Sequence, residues 1–150
     1  MAELDPHDSH DSPAEAGLVV QWRDLLARQA QTACLLDREL GEKHGLGMSE
    51  FEVLERLVEG CDGSGGHGLR IQELADTVHL SQSALSRLIG RLEKAGLVTR
   101  AMCTSDRRGI QVALTEAGRR RYTEARPLHR EVLSLTLADE PVRACGTTLD

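Results

Sequence analysis

From Leu18 the chain settles into a helical rhythm. Leu18, Trp22, Leu25, Leu26, Ala33, Leu36 and Leu40 recur at steps that put them on one face of a helix, and Gly41–Gly47 interrupts it. A second stripe, Phe51, Leu54, Leu57 and Val58, predicts a helix in which Ser49 and Glu52 have capping-box spacing and Gly60 marks the end. The run 61–68, CDGSGGHG, reads as a loop. Ile71, Leu74, Ala75 and Val78 then predict a short helix over 71–78. After His79-Leu80, Ser81 is a good N-cap for a helix over about 82–95, with Leu85, Leu88, Ile89 and Leu92 inward and Gly96 as its stop. Two short strands follow, Leu97–Arg100 and Ile110–Leu114, with a polar tip between them. Thr115 caps a last long helix, 116 to about 137, and 138–150 lacks periodicity.

This order predicts a mostly α, α+β domain: long helices outside, two short helices joined by a tight turn, then a two-stranded hairpin. It is the order of a winged helix-turn-helix. Residues 1–17 are polar and acidic and predict a disordered tail, leaving 18–150 as one domain. The core must be aliphatic, since the chain has one Trp, one Tyr and one Phe in 150 residues. No stretch approaches 18 consecutive apolar residues, and the N-terminus does not read as a secretion signal, so the expected setting is the cytoplasm, with no membrane partner.

Charge changes the picture. The chain totals −6, but residues 1–80 carry −10, residues 81–130 carry +7 and residues 131–150 carry −3. A basic block inside an acidic chain fits a polyanion footprint; a solvated basic helix face is the plainer alternative. The outer face of the 82–95 helix offers Gln82, Ser83, Ser86, Arg87 and Arg91, residue types that hydrogen-bond base edges and phosphates. At the hairpin tip, Arg107 and Arg108 can reach a narrow, negative minor groove, and Asp106 can aim an arginine through a bidentate ion pair.

The segment IQELADTVHLSQSALSRLIGRLEKAGLVTR, followed by DRRGIQVALTEAGRR, resembles the multiple-antibiotic-resistance regulator (MarR) family of winged helix-turn-helix transcription factors. The resemblance is specific over 71–118 and follows the order of elements over roughly 20–130. It implies a homodimer whose dimerisation helices are 18–44 and 116–150, with the helix-turn-helix at about 71–95 and the wing at 97–114. It also implies binding to a pseudo-palindromic double-stranded operator, usually as a repressor released by a small ligand, an oxidant or a metal. On the family pattern, recognition contacts fall on Ser81, Gln82, Ser83, Ser86 and Arg87. The minor-groove arginine falls on Arg108 with Asp106 beside it, and Arg91 and Arg107 qualify for phosphate by charge. The glycine-rich loop 61–68 is longer than usual in the family, and Pro141 interrupts the C-terminal end, which bears on the size of the dimer interface.

Three sensors are conceivable. Trp22 resembles the tryptophan of urate-responsive members, though core packing is the simpler account of it. Cys34 and Cys103 are redox candidates. The family's sensing cysteine aligns near Arg23 rather than with Cys34, while Arg100, Arg107 and Arg108 lie near Cys103 in sequence and would lower its pKa. Cys34, Glu42, His44 and His129 lack metal-ligand spacing, so no metal and no other cofactor is expected. An enzyme is disfavoured: no phosphate loop follows a strand, and no nucleophile–base set or metalloprotease motif is readable. The rival to a DNA-binding regulator is a winged-helix interaction module that dimerises without binding DNA.

Overall fold

The computed structural model describes residues 12–63, 68–102 and 109–138. Helix α1, Pro13–His44, is followed by α2, Met48–Gly63, and a two-residue strand β1, Leu69–Arg70. Helices α3, Ile71–Val78, and α4, Gln82–Lys94, come next, then strands β2, Val98–Met102, and β3, Ile110–Leu114, and helix α5, Glu116–Leu137. The mostly helical α+β class holds.

Several boundaries differ from the apolar pattern: α1 runs through Gly41 to His44, although the spacing predicts an interruption from Gly41, and β2 extends to Met102 where the pattern ends at Arg100. Helix α1 begins at Pro13, so residues 13–17 belong to it and not to a disordered tail. Ser12 caps it: its hydroxyl accepts from the Glu15 N–H, the Glu15 carboxylate accepts from the Ser12 N–H, and Pro13 occupies the first turn. A polar capped turn leaves no apolar stripe, which is why the periodicity starts late. The rest of the predicted tail, residues 1–11, lies outside the described residues. Helix α2 is not capped by Ser49. The Glu50 carboxylate accepts from Gly47 N–H, and Asp37 of α1 accepts from Met48 N–H at 2.7 Å. The helix also continues through Gly60 to Gly63.

Strand β1 is too short to show any period. It adds a third antiparallel strand beside β3, giving the order β1-β3-β2, with Leu69 opposite Val112 and Arg70 opposite Gln111. The β2–β3 ladder runs from Val98–Leu114 to Met102–Ile110. Val112 on the central strand is fully buried. One core runs through the molecule: Leu36 and Leu40 of α1, Phe51, Leu54 and Leu57 of α2, Leu74 of α3, Leu85 and Ile89 of α4, and Ala125 and Val132 of α5.

Helix α4 ends in a Schellman motif. Leu97 N–H bonds Leu92 C=O, Gly96 N–H bonds Glu93 C=O, and Gly96 takes φ +77°. Leu92 and Leu97 are both buried. The start of α5 is tied to this turn. The Thr115 hydroxyl donates to Gly96 C=O at 2.7 Å and accepts from Gly118 N–H, while Thr115 N–H reaches Leu97 C=O. A Cβ on Gly118 would stand 2.0 Å from the Leu97 carbonyl oxygen, so only glycine lets α5 approach this closely.

Helices α2 and α5 meet around the chain's only phenylalanine. The Phe51 ring stacks on His129 at 4.2 Å between centroids and tilts against Tyr122 at 5.4 Å. Beside it the buried Glu55 carboxylate accepts from the Tyr122 hydroxyl at 3.2 Å and from the Arg130 guanidinium. Burial alone would raise the Glu55 carboxyl, but the Arg130 hydrogen bond and charge outweigh it and hold the group below its ordinary 4.5. Burial, together with the charges of Arg130 and Arg126 and against the pull of Glu55, holds His129 below its ordinary 6.5.

Gly96→Ala should lower stability by about 1–2 kcal/mol through the left-handed backbone, and Gly118→Ala by about 1–3 kcal/mol through the clash, both read by urea unfolding. Gly96→Asn should be milder. The pH dependence follows from the Phe51 seam. Glu55 and His129 both release protons more readily in the fold than in the unfolded chain, so acid favours unfolding. The unfolding midpoint should fall as pH drops below 6.5, where unfolded His129 charges, and again below 4.5, where unfolded Glu55 is neutralised. His129→Phe should remove the first step and leave the second.

Candidate nucleic-acid interface

The positive-φ residue His79, at +55°, closes α3, and Leu80 and Ser81 complete the turn into α4. Leu85, Leu88, Ile89 and Leu92 then face the core, which rotates Gln82, Ser83 and Arg87 to solvent and leaves Ser86 at the margin. The five recognition residues expected from the sequence therefore share the N-terminal half of one helix, where unpaired N–H groups and the helix dipole favour phosphate. Ser81 also acts as the cap. Its hydroxyl accepts from Ala84 N–H at 3.2 Å and lies 3.3 Å from the Ser83 hydroxyl.

The arginines are not equivalent. Arg87 Nε donates only to its own helix, to Ser83 C=O at 3.4 Å, and has no carboxylate partner among the described residues. Arg91 is drawn back to Glu50 of α2 at 3.4 Å. This pair is exposed and weak, so Arg91 stays available to phosphate at little cost. Arg100 lies near the Cys103 thiol in sequence, but its guanidinium crosses to α4 and donates to Ser86 C=O at 2.9 Å. No sequence signal points to this contact, because a lone arginine in a short strand carries no periodicity that names its partner. Asp106, Arg107, Arg108 and Cys103 lie outside the described residues; the ladder that leads to them ends at the Met102–Ile110 pair.

The sensor candidates are dispersed. Trp22 is not a core residue: it is 59% exposed, on a stripe with Leu18, Leu25 and Leu26 that the described chain leaves uncovered. The whole of α1 from Pro13 to Ala27 is exposed, so the described chain supplies no core for the ring at this end. Cys34 is an exposed free thiol on the same helix. His129 is enclosed against Phe51, and no metal-holding group of three or more acids, cysteines or histidines occurs among the described residues. Nor is any helix among them long and apolar enough to cross a membrane.

The MarR family model matches residues 46–110, from the α1–α2 turn to the start of β3. The structure of AbsC, a MarR family transcriptional regulator from Streptomyces coelicolor, is 32% identical, with a TM-score of 0.73 over 86% of this chain and 82% of that one. This chain belongs to the MarR family of transcriptional regulators. Sco3205, another MarR family regulator from Streptomyces coelicolor, solved in complex with DNA, is 30% identical with a TM-score of 0.75 over 90% of this chain and 81% of its own. Among curated MarR-type relatives, the transcriptional repressor MdtR of Bacillus subtilis is 29% identical over 112 residues, 71% of this chain and 68% of its own length.

Because Ser81 caps α4, Ser81→Ala should cost about 1 kcal/mol of stability in urea unfolding, and Ser81→Asp should largely restore it.

Proposed function

We propose that this MarR family member works in the cytoplasm as a homodimer that binds a pseudo-palindromic double-stranded operator and represses the genes beside it. Gln82, Ser83, Ser86 and Arg87 read the major groove from α4, Ser81 sets the start of that helix against the backbone, and Arg91 and Arg107 meet phosphates. Arg108 enters the minor groove, aimed by Asp106. No catalytic step is involved. A small ligand, or an oxidant acting on Cys34 or Cys103, releases the DNA by favouring a different spacing of the two α4 helices.

One observation carries this reading: the outer face of α4 is polar and basic, and Gln82, Ser83, Arg87 and Arg91 on it are exposed. The DNA complex of Sco3205 supports the partner, and the repressor name of MdtR supports the sign of control. The dimer is supported by α1. Leu18, Trp22 and Leu25, at i, i+4 and i+7, form an exposed apolar stripe, and Leu135 and Leu137 near the end of α5 are exposed as well. A second copy that covers this stripe with the same surface closes a two-fold pair. Trp22 then lies in or beside the subunit contact, close to where an effector would act on both chains.

The test is selection of a duplex from a random pool by the full-length protein, followed by binding measurements across salt concentrations. Affinity should fall steeply as salt rises, by counterion release. Arg108→Ala should weaken binding to the selected duplex by about 1–3 kcal/mol, and Gln82→Ala should change the sequence preferred more than the overall affinity. Leu25→Glu should yield monomers in sedimentation and lose tight binding with them. Absence of binding at low salt overturns the reading and favours a dimerising interaction module.

A further inference from the structure

Arg100 sits in the middle of β2, opposite Val112 of the central strand. Its side chain leaves the sheet and lies along α4. Nη2 donates to the Ser86 carbonyl at 2.9 Å, and the same nitrogen is 3.5 Å from the place a Cβ would occupy on Gly90. Ser86 and Gly90 are one helical turn apart on the same face, so the guanidinium rests on the helix backbone at a point where the helix presents no side chain. The Ser86 carbonyl lies in the interior of α4, where an i+4 N–H already bonds it. The arginine is therefore an additional donor and does not rescue an orphaned group. Its Nε is buried and finds no acceptor among the described residues.

As a stabilising device this arrangement is poor. A half-buried guanidinium whose buried Nε–H is unsatisfied gives back part of what its hydrogen bond contributes. What it does supply is geometry. It pins the backbone of one α4 residue, Ser86, to the strand whose far end leads to Asp106, Arg107 and Arg108. The single hydrogen bond to Ser86 opposes a slide of α4 along β2, and the planar group lying over Gly90 opposes rotation of the helix about its axis.

We propose that Arg100 is a positioning residue for DNA recognition: through Ser86 it locks α4 to β2, so that the helix and the wing address their two grooves as one rigid unit. This rests on the proposed function, in which α4 and the wing both touch DNA. Arg100 itself touches none. Base readout needs several hydrogen bonds to be aligned at once, whereas phosphate attraction tolerates small displacements. Loss of the clamp therefore lowers discrimination between sequences and leaves general affinity intact.

The test compares two probes, the duplex that the wild-type protein selects from a random pool and an unrelated duplex of equal length. Arg100→Met keeps the aliphatic stem and removes the donors. It should reduce the ratio of the two affinities by about tenfold, a size typical of a lost base contact, with binding to the unrelated duplex and its salt slope unchanged. Arg100→Lys keeps the charge but not the planar group that rests over Gly90, and should lose discrimination as well. Gly90→Val leaves Arg100 in place but fills the space beside Nη2, and should reproduce the loss; combined with Arg100→Met it should add nothing further. If Arg100→Met does not fold, Gly90→Val decides the question. A salt slope lower by about one unit in Arg100→Met, with rescue by Arg100→Lys, overturns the proposal in favour of a phosphate contact. An unchanged ratio in the folded Gly90→Val variant also overturns it, while leaving the proposed function standing. Failure of the wild-type protein to select any duplex overturns both.

Discussion

The placement of α5 on α2 is the contact on which the molecule depends. The Phe51 ring lies against His129 and Tyr122, and the buried Glu55 carboxylate is closed off by Tyr122 and Arg130. Helix α2 also packs on α3, α4 and β3, so it belongs to both halves of the protein. A close-packed seam of this kind does not deform continuously; it holds one arrangement or changes to another. The polar cluster sharpens that choice, because sliding α5 by a turn would leave Glu55 buried without its cation, a costly state. The stem formed by α1 and α5 and the lobe that carries α4 are thus held in one relative orientation.

Within the lobe the same logic acts on a smaller scale. Helix α4 is bounded at both ends by backbone chemistry, by the Ser81 hydroxyl at the start and by Gly96 in the left-handed region at the end. The turn after it is locked to the start of α5 by Thr115 and by the close approach at Gly118. Four apolar side chains then decide which face of α4 is hidden. The exposed face is consequently presented in a defined direction, and it falls within the stretch, residues 81 to 130, where positive charge is concentrated. The acidic remainder of the chain opposes non-specific binding elsewhere on the surface and favours approach through this side.

Much of this is legible in the sequence. The α3–turn–α4 unit, its inward leucines, the Ser81 cap, the Gly96 stop and the β2–β3 hairpin are all local features. Each depends on residues a few positions apart, and propensity, capping and periodicity agree there. The departures share a cause. Pro13–Gly17 reads as tail because a capped polar turn has no apolar period. Strand β1 escapes notice because two residues have no period at all. Ser49 has the spacing of a cap, yet that role belongs to Glu50 and Asp37, the second of which is eleven residues from the N–H it holds. Trp22 satisfies a core pattern, but its end of helix α1 is exposed throughout.

By itself the sequence determined the order of elements, the hidden and open faces of α4 and the residue types offered to a polyanion, since these follow from spacing along the chain. Only the tertiary structure decided which partners Arg100, Arg91 and Glu55 take, because charged side chains choose partners by distance in space. It also decided that the apolar stripe of α1 remains open. Periodicity reports that a face is apolar, and only the packed chain reveals whether that chain has anything left to cover it.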